Sequence, residues 1–275
     1  MRKYHKSVLF MLLLLPVLAM AAPIKDGSLN ELLKASGLSE QVDQLPGAVK
    51  AGLDQAQQQG SPIPAAEYEA LSKAMVAAFA PKQVNLAIKA QLKKKLSQAD
   101  AKQLMAWYKS KLGKKITKAE EKASTPQAMQ AMMAQAQSLV SDQARLDLAI
   151  KIVNLVKAVD MGVDLQMHTS KSIVAAMSQA ANPGAPVDMQ AIETQLAAGE
   201  VQMRDAMQQF MVLSMLYSYK ELSVAEIKKY VAFLEKPVTQ KFNNTVIQAM
   251  SVALASAVDN MAKSMASIFK KHNKS

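Results

Sequence analysis

One stretch of about twenty residues occurs twice in this chain, 126 positions apart, and it limits the fold more than any other feature. Residues 96–115 read LSQADAKQLMAWYKSKLGKK and residues 222–241 read LSVAEIKKYVAFLEKPVTQK. Leu96, Ser97, Ala99, Lys102, Ala106 and Lys115 recur as Leu222, Ser223, Ala225, Lys228, Ala232 and Lys241. Asp100 becomes Glu226, Trp107 becomes Phe233, and Leu112 becomes Val238. Each copy opens with a serine three residues ahead of an acid, the spacing of a capping box that starts a helix. Two copies predict two related helical modules in series, over residues 24–124 and 126–275. Each can bury its apolar side against the other, so the expected architecture is all-α, two tandem modules packed as one multi-helix bundle.

Residues 1–21 have the form of a cleaved secretory leader. Arg2, Lys3 and Lys6 precede the apolar run Val8–Met20, which is too short to span a bilayer. Ala19-Met20-Ala21 fits the small-x-small rule and predicts cleavage after Ala21. The expected address is the bacterial periplasm. The chain has no cysteine, so neither a disulfide framework nor a thiolate site is available. Aromatic residues make up only 5% of the chain, while alanine, lysine, glutamine, leucine and methionine dominate, a composition that favours helices.

Charge is concentrated. The precursor carries +11, and removing the leader leaves +8. Between Lys82 and Lys122, twelve lysines face only Asp100, Glu120 and Glu121, so this segment alone makes the protein basic. Lys89, Lys93, Lys94, Lys95, Lys102, Lys109, Lys111, Lys114, Lys115 and Lys118 form a candidate surface for an anionic partner, either an envelope component or another periplasmic protein. A solvated face that serves only solubility is the competing reading. Nucleic acid is not expected, since only Arg145 and Arg204 remain beyond the leader and no aromatic-interleaved arginines occur.

Helix boundaries follow from caps and breakers. Helices are predicted from Ser28 to Gly37, from about Ser39 with a restart at Pro46, from Pro64 to about Phe79, from Pro81 to about Lys95, and from the cap at Ser97 through Leu112 to a left-handed end at Gly113. A linker occupies Gly60–Pro64, and Asn182–Pro186 is a second. Thr125-Pro126 starts a helix with no breaker before Gly162, so one long helix is expected there. A further helix is expected from about Val163 to Ala181, and another from Met189 to Tyr219 with an irregularity at Gly199. A last helix should run from Pro237 to about Lys271. Its Phe242, Val246, Met250, Leu254, Val258, Met261, Met265 and Phe269 give it one continuous apolar face. Residues 242–258 hold no charge but are interrupted by polar side chains, a core helix rather than a membrane span. Upstream of the repeats, Glu31–Ala35 can be laid over Asn154–Ala158 at an offset of 123.

The repeated segment resembles the signature of the bacterial domain-of-unknown-function family numbered 2059. That signature reads hydrophobic, Ser or Thr, two residues, an acid, an aromatic-bearing helix, then Ser-Pro-x-Gly-x-Lys. The first copy supplies Leu96, Ser97, Asp100, Trp107, Tyr108, Ser110, Gly113 and Lys115, with Lys111 in place of the proline. The second supplies Leu222, Ser223, Glu226, Phe233, Pro237 and Lys241, with Lys236 and Thr239 replacing the serine and glycine. The resemblance implies a secreted or periplasmic helical domain and implies no activity. Capping by the serine, dipole pairing by the acid and packing by the aromatic explain the motif as a helix–turn–helix. A ligand slot beside Trp107 and Phe233 is the alternative.

Signals for chemistry are thin. Beyond the leader only His168 and His272 remain, and no HExxH, GxSxG or phosphate-binding glycine loop occurs. No catalytic residue, cofactor or metal is expected. Glu120-Glu121 lies in a charged segment expected on the surface. Met203, Met207, Met211 and Met215 form an i, i+4 ladder, and Met129, Met132 and Met133 a cluster; core packing, an adaptable groove and a soft-metal site are all open to them. The expected role is non-catalytic, an interaction or accessory module of the cell envelope. The alternative is a carrier of an apolar ligand in a Met-lined groove between helices.

Overall fold

A computed structural model of the chain describes residues 22–59, 64–182 and 185–272. The leader and its cleavage site lie outside the described residues, as does most of the first linker. The described chain is helical. Its helices are α1 (Asp26–Ala35), α2 (Leu38–Asp43), α3 (Leu45–Gln59), α4 (Ala65–Ala78), α5 (Pro81–Lys95), α6 (Gln98–Tyr108), α7 (Lys111–Ala123) and α8 (Pro126–Ala134). The remainder are α9 (Ala136–Leu139), α10 (Gln143–Leu155), α11 (Ala158–Ala181), α12 (Met189–Ala197), α13 (Glu200–Ser218), α14 (Val224–Leu234) and α15 (Pro237–His272). The only pairing of extended chain among the described residues is a single bridge between Pro23 and Ser97. It is reinforced by Gln98 N–H on Ala22 O at 2.8 Å and by Ile24 N–H on Leu96 O at 3.3 Å.

Local chemistry sets many of the helix starts. Ser97, Ser110, Thr125, Asp142, Asp188 and Ser223 each accept a backbone N–H from the first turn of the helix they precede. Pro81 and Pro126 occupy first-turn positions whose N–H needs no partner.

The long helix expected from Thr125 to Gly162 is not formed. The chain breaks near Gln135, again at Val140–Asp142, and again at Val156–Lys157, giving α8, α9, α10 and the start of α11. Side chains compete with the helix at these joints. Ser138 Oγ donates to Gln135 O at 2.8 Å, Ser141 Oγ donates to Ser138 O at 2.7 Å, and Asp142 caps Arg145 N–H at 3.1 Å. Gly162 is not a breaker either. It lies inside α11, where a Cβ would sit 3.0 Å from Met207 Sδ, so its role is close approach between α11 and α13.

Leu29, Leu32 and Leu33 are the buried residues of α1, and Ala149, Ile152 and Val153 those of α10. Both helices end at a left-handed residue, Gly37 at φ 75° and Lys157 at φ 49°. Lys157 is the one non-glycine residue with positive φ among those described, in a conformation that disfavours a side chain.

α15 is the spine, about 54 Å long at 1.5 Å per residue. It packs along α11 on one side and α5 and α4 on another, and touches α6. α13 packs on α7, while α1 packs on α6 and α10 on α14. One apolar core therefore holds residues from both ends of the chain, from Ile24 through Leu104 and Phe233 to Met261. A smaller cluster joins α10, α11 and α13 through Val153, Val163, Val212 and Leu216. No described helix is long and apolar enough to cross a membrane.

Candidate functional site

The two copies of the repeated pattern meet. Ser97 and Asp100 exchange bonds at the start of α6, Asp100 N–H on Ser97 Oγ at 3.1 Å and Ser97 N–H on Asp100 Oδ2 at 2.9 Å. Ser223 and Glu226 do the same at the start of α14, at 3.2 and 2.8 Å. Each capping acid then takes a lysine from the other copy. Lys115 Nζ reaches Glu226 Oε1 at 2.7 Å, and Lys241 Nζ reaches Asp100 Oδ2 at 2.8 Å. The acids are equivalent positions in the repeat, and so are the lysines. The equivalent aromatics also face each other, with Trp107 and Phe233 stacked at 4.5 Å and 8°. No slot for a ligand is left between them.

The rest of the motif shapes the turns. The helix expected to continue to a left-handed end at Gly113 stops at Tyr108: Ser110 accepts Gly113 N–H at 3.0 Å to start α7, so Gly113 lies inside that helix, and Pro237 is the first residue of α15. Leu96 and Leu222 are buried. Their carbonyls are satisfied differently: Leu96 O accepts the Ile24 backbone, whereas Leu222 O accepts Arg145 Nη2 at 2.7 Å. The same guanidinium donates Nη1 to Tyr219 O at 3.2 Å, clamping the end of α13. Tyr108 meets Phe233 and Phe242 edge-on at 5.5 and 6.4 Å.

The expectation that Glu120 stands on a charged surface is overturned. The residue keeps part of its surface in water, but its carboxylate turns inward beneath α13 and α14. Glu120 Oε1 accepts Tyr219 Oη at 2.5 Å and Tyr230 Oη at 3.0 Å. Burial raises the Glu120 pKa, the two phenol bonds oppose that rise, and Glu121 adds to it. Burial and the nearby carboxylate push Tyr219, Tyr230 and Tyr108 upward as well. Neither Glu120 nor the two tyrosines stood out in sequence. The available signal was the gathering of Tyr219, Tyr230, Phe233 and Phe242 around the second copy in an aromatic-poor chain.

These acids give opposite pH signatures. Lys115 and the Ser223 backbone hold Glu226 at about 2, below its ordinary 4.5. Partial burial works against Asp100, but the Lys241 bond and Ser97 outweigh it and lower that acid too. Their stabilising contributions are complete above the ordinary carboxylate range and disappear as pH falls through the lowered values. Glu120 is raised, so its contribution is present below the ordinary value and is lost as pH rises through its folded value. Glu226→Gln is therefore expected to flatten the loss of urea stability between pH 4.5 and 2. Glu120→Gln, whose amide oxygen can still accept both phenols, should raise the midpoint at neutral pH and change it little at acid pH. A lower neutral midpoint in Glu120→Gln would show that the ionised carboxylate stabilises the seam.

The lysine-rich segment divides. Lys93 pairs with Asp26, Lys109 with Glu31 at 2.5 Å, and Lys115 with Glu226. Lys89, Lys94, Lys95, Lys102, Lys111, Lys114 and Lys118 make no ion pair among the described residues. On α7, Lys111, Lys114, Lys115, Lys118 and Lys122 share one outward face, opposite Gly113, Ile116, Thr117 and Glu120. That face opposes its own helix. Three of its lysine pairs are spaced i, i+4 and two i, i+3, each worth about 0.2–0.5 kcal/mol of repulsion at low salt. Lysines in the first turn also meet the positive end of the helix dipole.

His168 does not form a catalytic array. Its Nε2 lies 3.0 Å from Asp259 Oδ1 and 3.4 Å from Ser172 Oγ, while Ser172 Oγ donates to the same Asp259 oxygen at 2.7 Å. Serine and acid meet one imidazole nitrogen, and the hydroxyl proton is committed to the acid, so no relay from serine through histidine to acid exists. Asp259 is also half-exposed, not a buried acid. The methionine ladder faces inward: Met203, Met207, Met211 and Met215 pack against the smaller core cluster. Met132 is buried, while Met129 and Met133 are exposed. A groove of about 200 Å³ does lie between α11 and α15, but Met161 is the one methionine among its lining residues. Among the described residues no three His, Asp or Glu side chains converge to hold a metal.

Residues 84–142 match the model of a family described as an uncharacterized protein conserved in bacteria (DUF2059). The match begins at Val84 in α5 and ends at the cap of α10, so it takes in the first copy of the pattern and not the second. No curated protein and no solved structure matches the chain.

Proposed function

We propose that this is a non-catalytic, periplasmic protein of the bacterial cell envelope, an interaction or accessory module exported by a leader that is cut after Ala21. The observation that carries the reading is the reciprocal lock at the seam. Lys115, Glu226, Lys241, Asp100, Trp107 and Phe233 are spent on one another, so the repeated pattern works as scaffold, and recognition belongs to the outer surface. The chain is further proposed to be two copies of one module, residues 24–124 and 126–275. Helix order supports this. α1 corresponds to α10 across the left-handed turns, α2 and α3 together to α11, α4 to α12, α5 to α13, and the pair α6 and α7 to α14 and α15. Pro46 accounts for the break between α2 and α3, since a helix interior cannot supply its missing donor. α5 covers α15 while α13 covers α7, so each copy closes over the other.

The test is crosslinking in living cells through a photoreactive residue placed at position 118 on α7, with position 190 on α12 as reference. Processed protein in the periplasmic fraction, with discrete adducts from position 118 alone, is the expected result. An unprocessed cytoplasmic protein, or the same adducts from both positions, overturns the reading. The groove between α11 and α15 favours a second reading, a carrier for a small apolar ligand. The groove is lined by Leu165, Leu254 and Ala255 together with Asp164, His168 and Ser251. It is small beside the roughly 300–1,000 Å³ usual for ligand pockets. A polarity-sensitive dye that brightens with the wild type, and not with Ala255→Trp, would favour this reading.

A further inference from the structure

The outward face of α7 is a continuous basic stripe. Lys111, Lys114, Lys115, Lys118 and Lys122 fall within about 100° of the helix circumference and extend about 16 Å along it. Both acids of this helix turn away: Glu120 toward the tyrosines, and Glu121 toward Gly37. Apart from Lys115, which binds Glu226, the fold does not require these lysines. At the matching positions of α15 stand Pro237, Gln240, Lys241, Asn244 and Gln248. A stripe present in one copy, and working against its own helix, is not explained by helix stability. Solubility alone would be served as well by mixed charges, which do not repel along the helix.

The chemistry of the stripe selects a kind of partner. No large apolar side chain is exposed on α6 or α7, so the face lacks the apolar anchor at the centre of a stable protein–protein contact. It also has no arginine, whose planar fork suits fixed bidentate sites. Lysines are point charges on flexible stems, matched to a fluid plane of anionic headgroups rather than to one fixed acceptor. We propose that the lysine stripe of α7 docks the protein on an anionic, phosphate-bearing lipid surface, engaging several headgroups together. The proposal rests on the envelope reading above and names the surface that the module meets.

The test is co-sedimentation of the mature chain with vesicles of phosphatidylcholine alone and of phosphatidylcholine mixed with phosphatidylglycerol. Two variants are compared. In one, Lys111, Lys114, Lys118 and Lys122 become Gln, sparing Lys115 for its bond to Glu226. In the other, Lys34, Lys73, Lys82 and Lys263 become Gln, the same charge change elsewhere. Each lysine close to an anionic surface is worth about fivefold in partitioning at low ionic strength. Wild type should bind the mixed vesicles and not the neutral ones, and should release with added salt. The stripe variant should lose about a hundredfold or more while melting no lower than wild type; the control should lose less than tenfold. Equal losses in both variants, or binding that ignores phosphatidylglycerol, overturn the proposal. So does release by free phosphate or soluble polyglutamate as effective as release by salt, since the site would then take any anion or an acidic protein. If vesicles fail while position 118 still gives discrete adducts in cells, the lipid proposal falls and the interaction reading stands. If both fail, both fall.

Discussion

Gly113→Ala is expected to destabilise the protein more than alanine at any other described glycine of the chain. Helix propensity alone gives the opposite sign, because Gly113 lies in the first turns of α7 and alanine there should gain up to about 1 kcal/mol. Packing decides otherwise. A Cβ at this position would stand 2.2 Å from Trp107 O and 2.9 Å from Trp107 C. Those atoms belong to the backbone that ends α6, and they are fixed by Ser110 N–H on Trp107 O at 2.8 Å. Relief requires the α6–α7 hairpin to open, which shifts Trp107 from Phe233 and Lys115 from Glu226. The expected cost is about 3 kcal/mol, the upper part of the range for overpacking. It should appear as a lower urea midpoint with an unchanged slope. Gly47→Ala and Gly52→Ala are the controls, since nothing lies within 4 Å of a Cβ at either position, and both should be neutral or stabilising. A midpoint for Gly113→Ala at or above wild type would mean that the hairpin yields without strain.

Trp107→Ala should cost about as much for a different reason. The indole packs against the main core and stacks on Phe233 at 4.5 Å, with Tyr230 at 6.1 Å. Truncation loses burial and leaves a gap, about 3 kcal/mol for a tryptophan only partly covered. Loss of the aromatic pair is included in that figure. Trp107→Phe keeps a ring at the seam and should recover more than half of it. The pairing can be isolated, because Phe233→Ala combined with Trp107→Ala should cost less than the sum of the two changes. Circular dichroism is the appropriate probe, as Trp107 is the chain's one tryptophan. An unchanged midpoint would free the ring for recognition and weaken the scaffold reading of the repeat.

Both expectations depend on contacts at the seam, and the sequence revealed that region unevenly. The capping boxes at Ser97 and Ser223, the turn at Gly37, and the starts at Pro81, Pro126 and Pro237 were legible because their partners lie within four residues. The lysine-rich segment was visible in composition, but not its division between the paired Lys93, Lys109 and Lys115 and the outward lysines of α7. The run from Thr125 to Gly162 was misread because Gln135, Ser138 and Ser141 are ordinary helix residues until their side chains take backbone carbonyls. Glu120 was misread because twelve lysines in one segment suggest water on every side. Arg145 could have been noticed, since arginine is rare in this chain, but nothing nearby pointed to Leu222.

The sequence by itself determined that the chain is helical and where most helices start, since caps and periodicity are written along a single strand. Only the tertiary structure decided that the lysine of one copy binds the acid of the other, that Glu120 turns beneath Tyr219 and Tyr230, and that Lys157 adopts a left-handed turn. Those pairings join residues as many as 141 positions apart. They exist because covering the apolar faces of α5, α7, α13 and α15 leaves few ways to stack the helices. The side chains at the crossings take whatever neighbours that stacking brings.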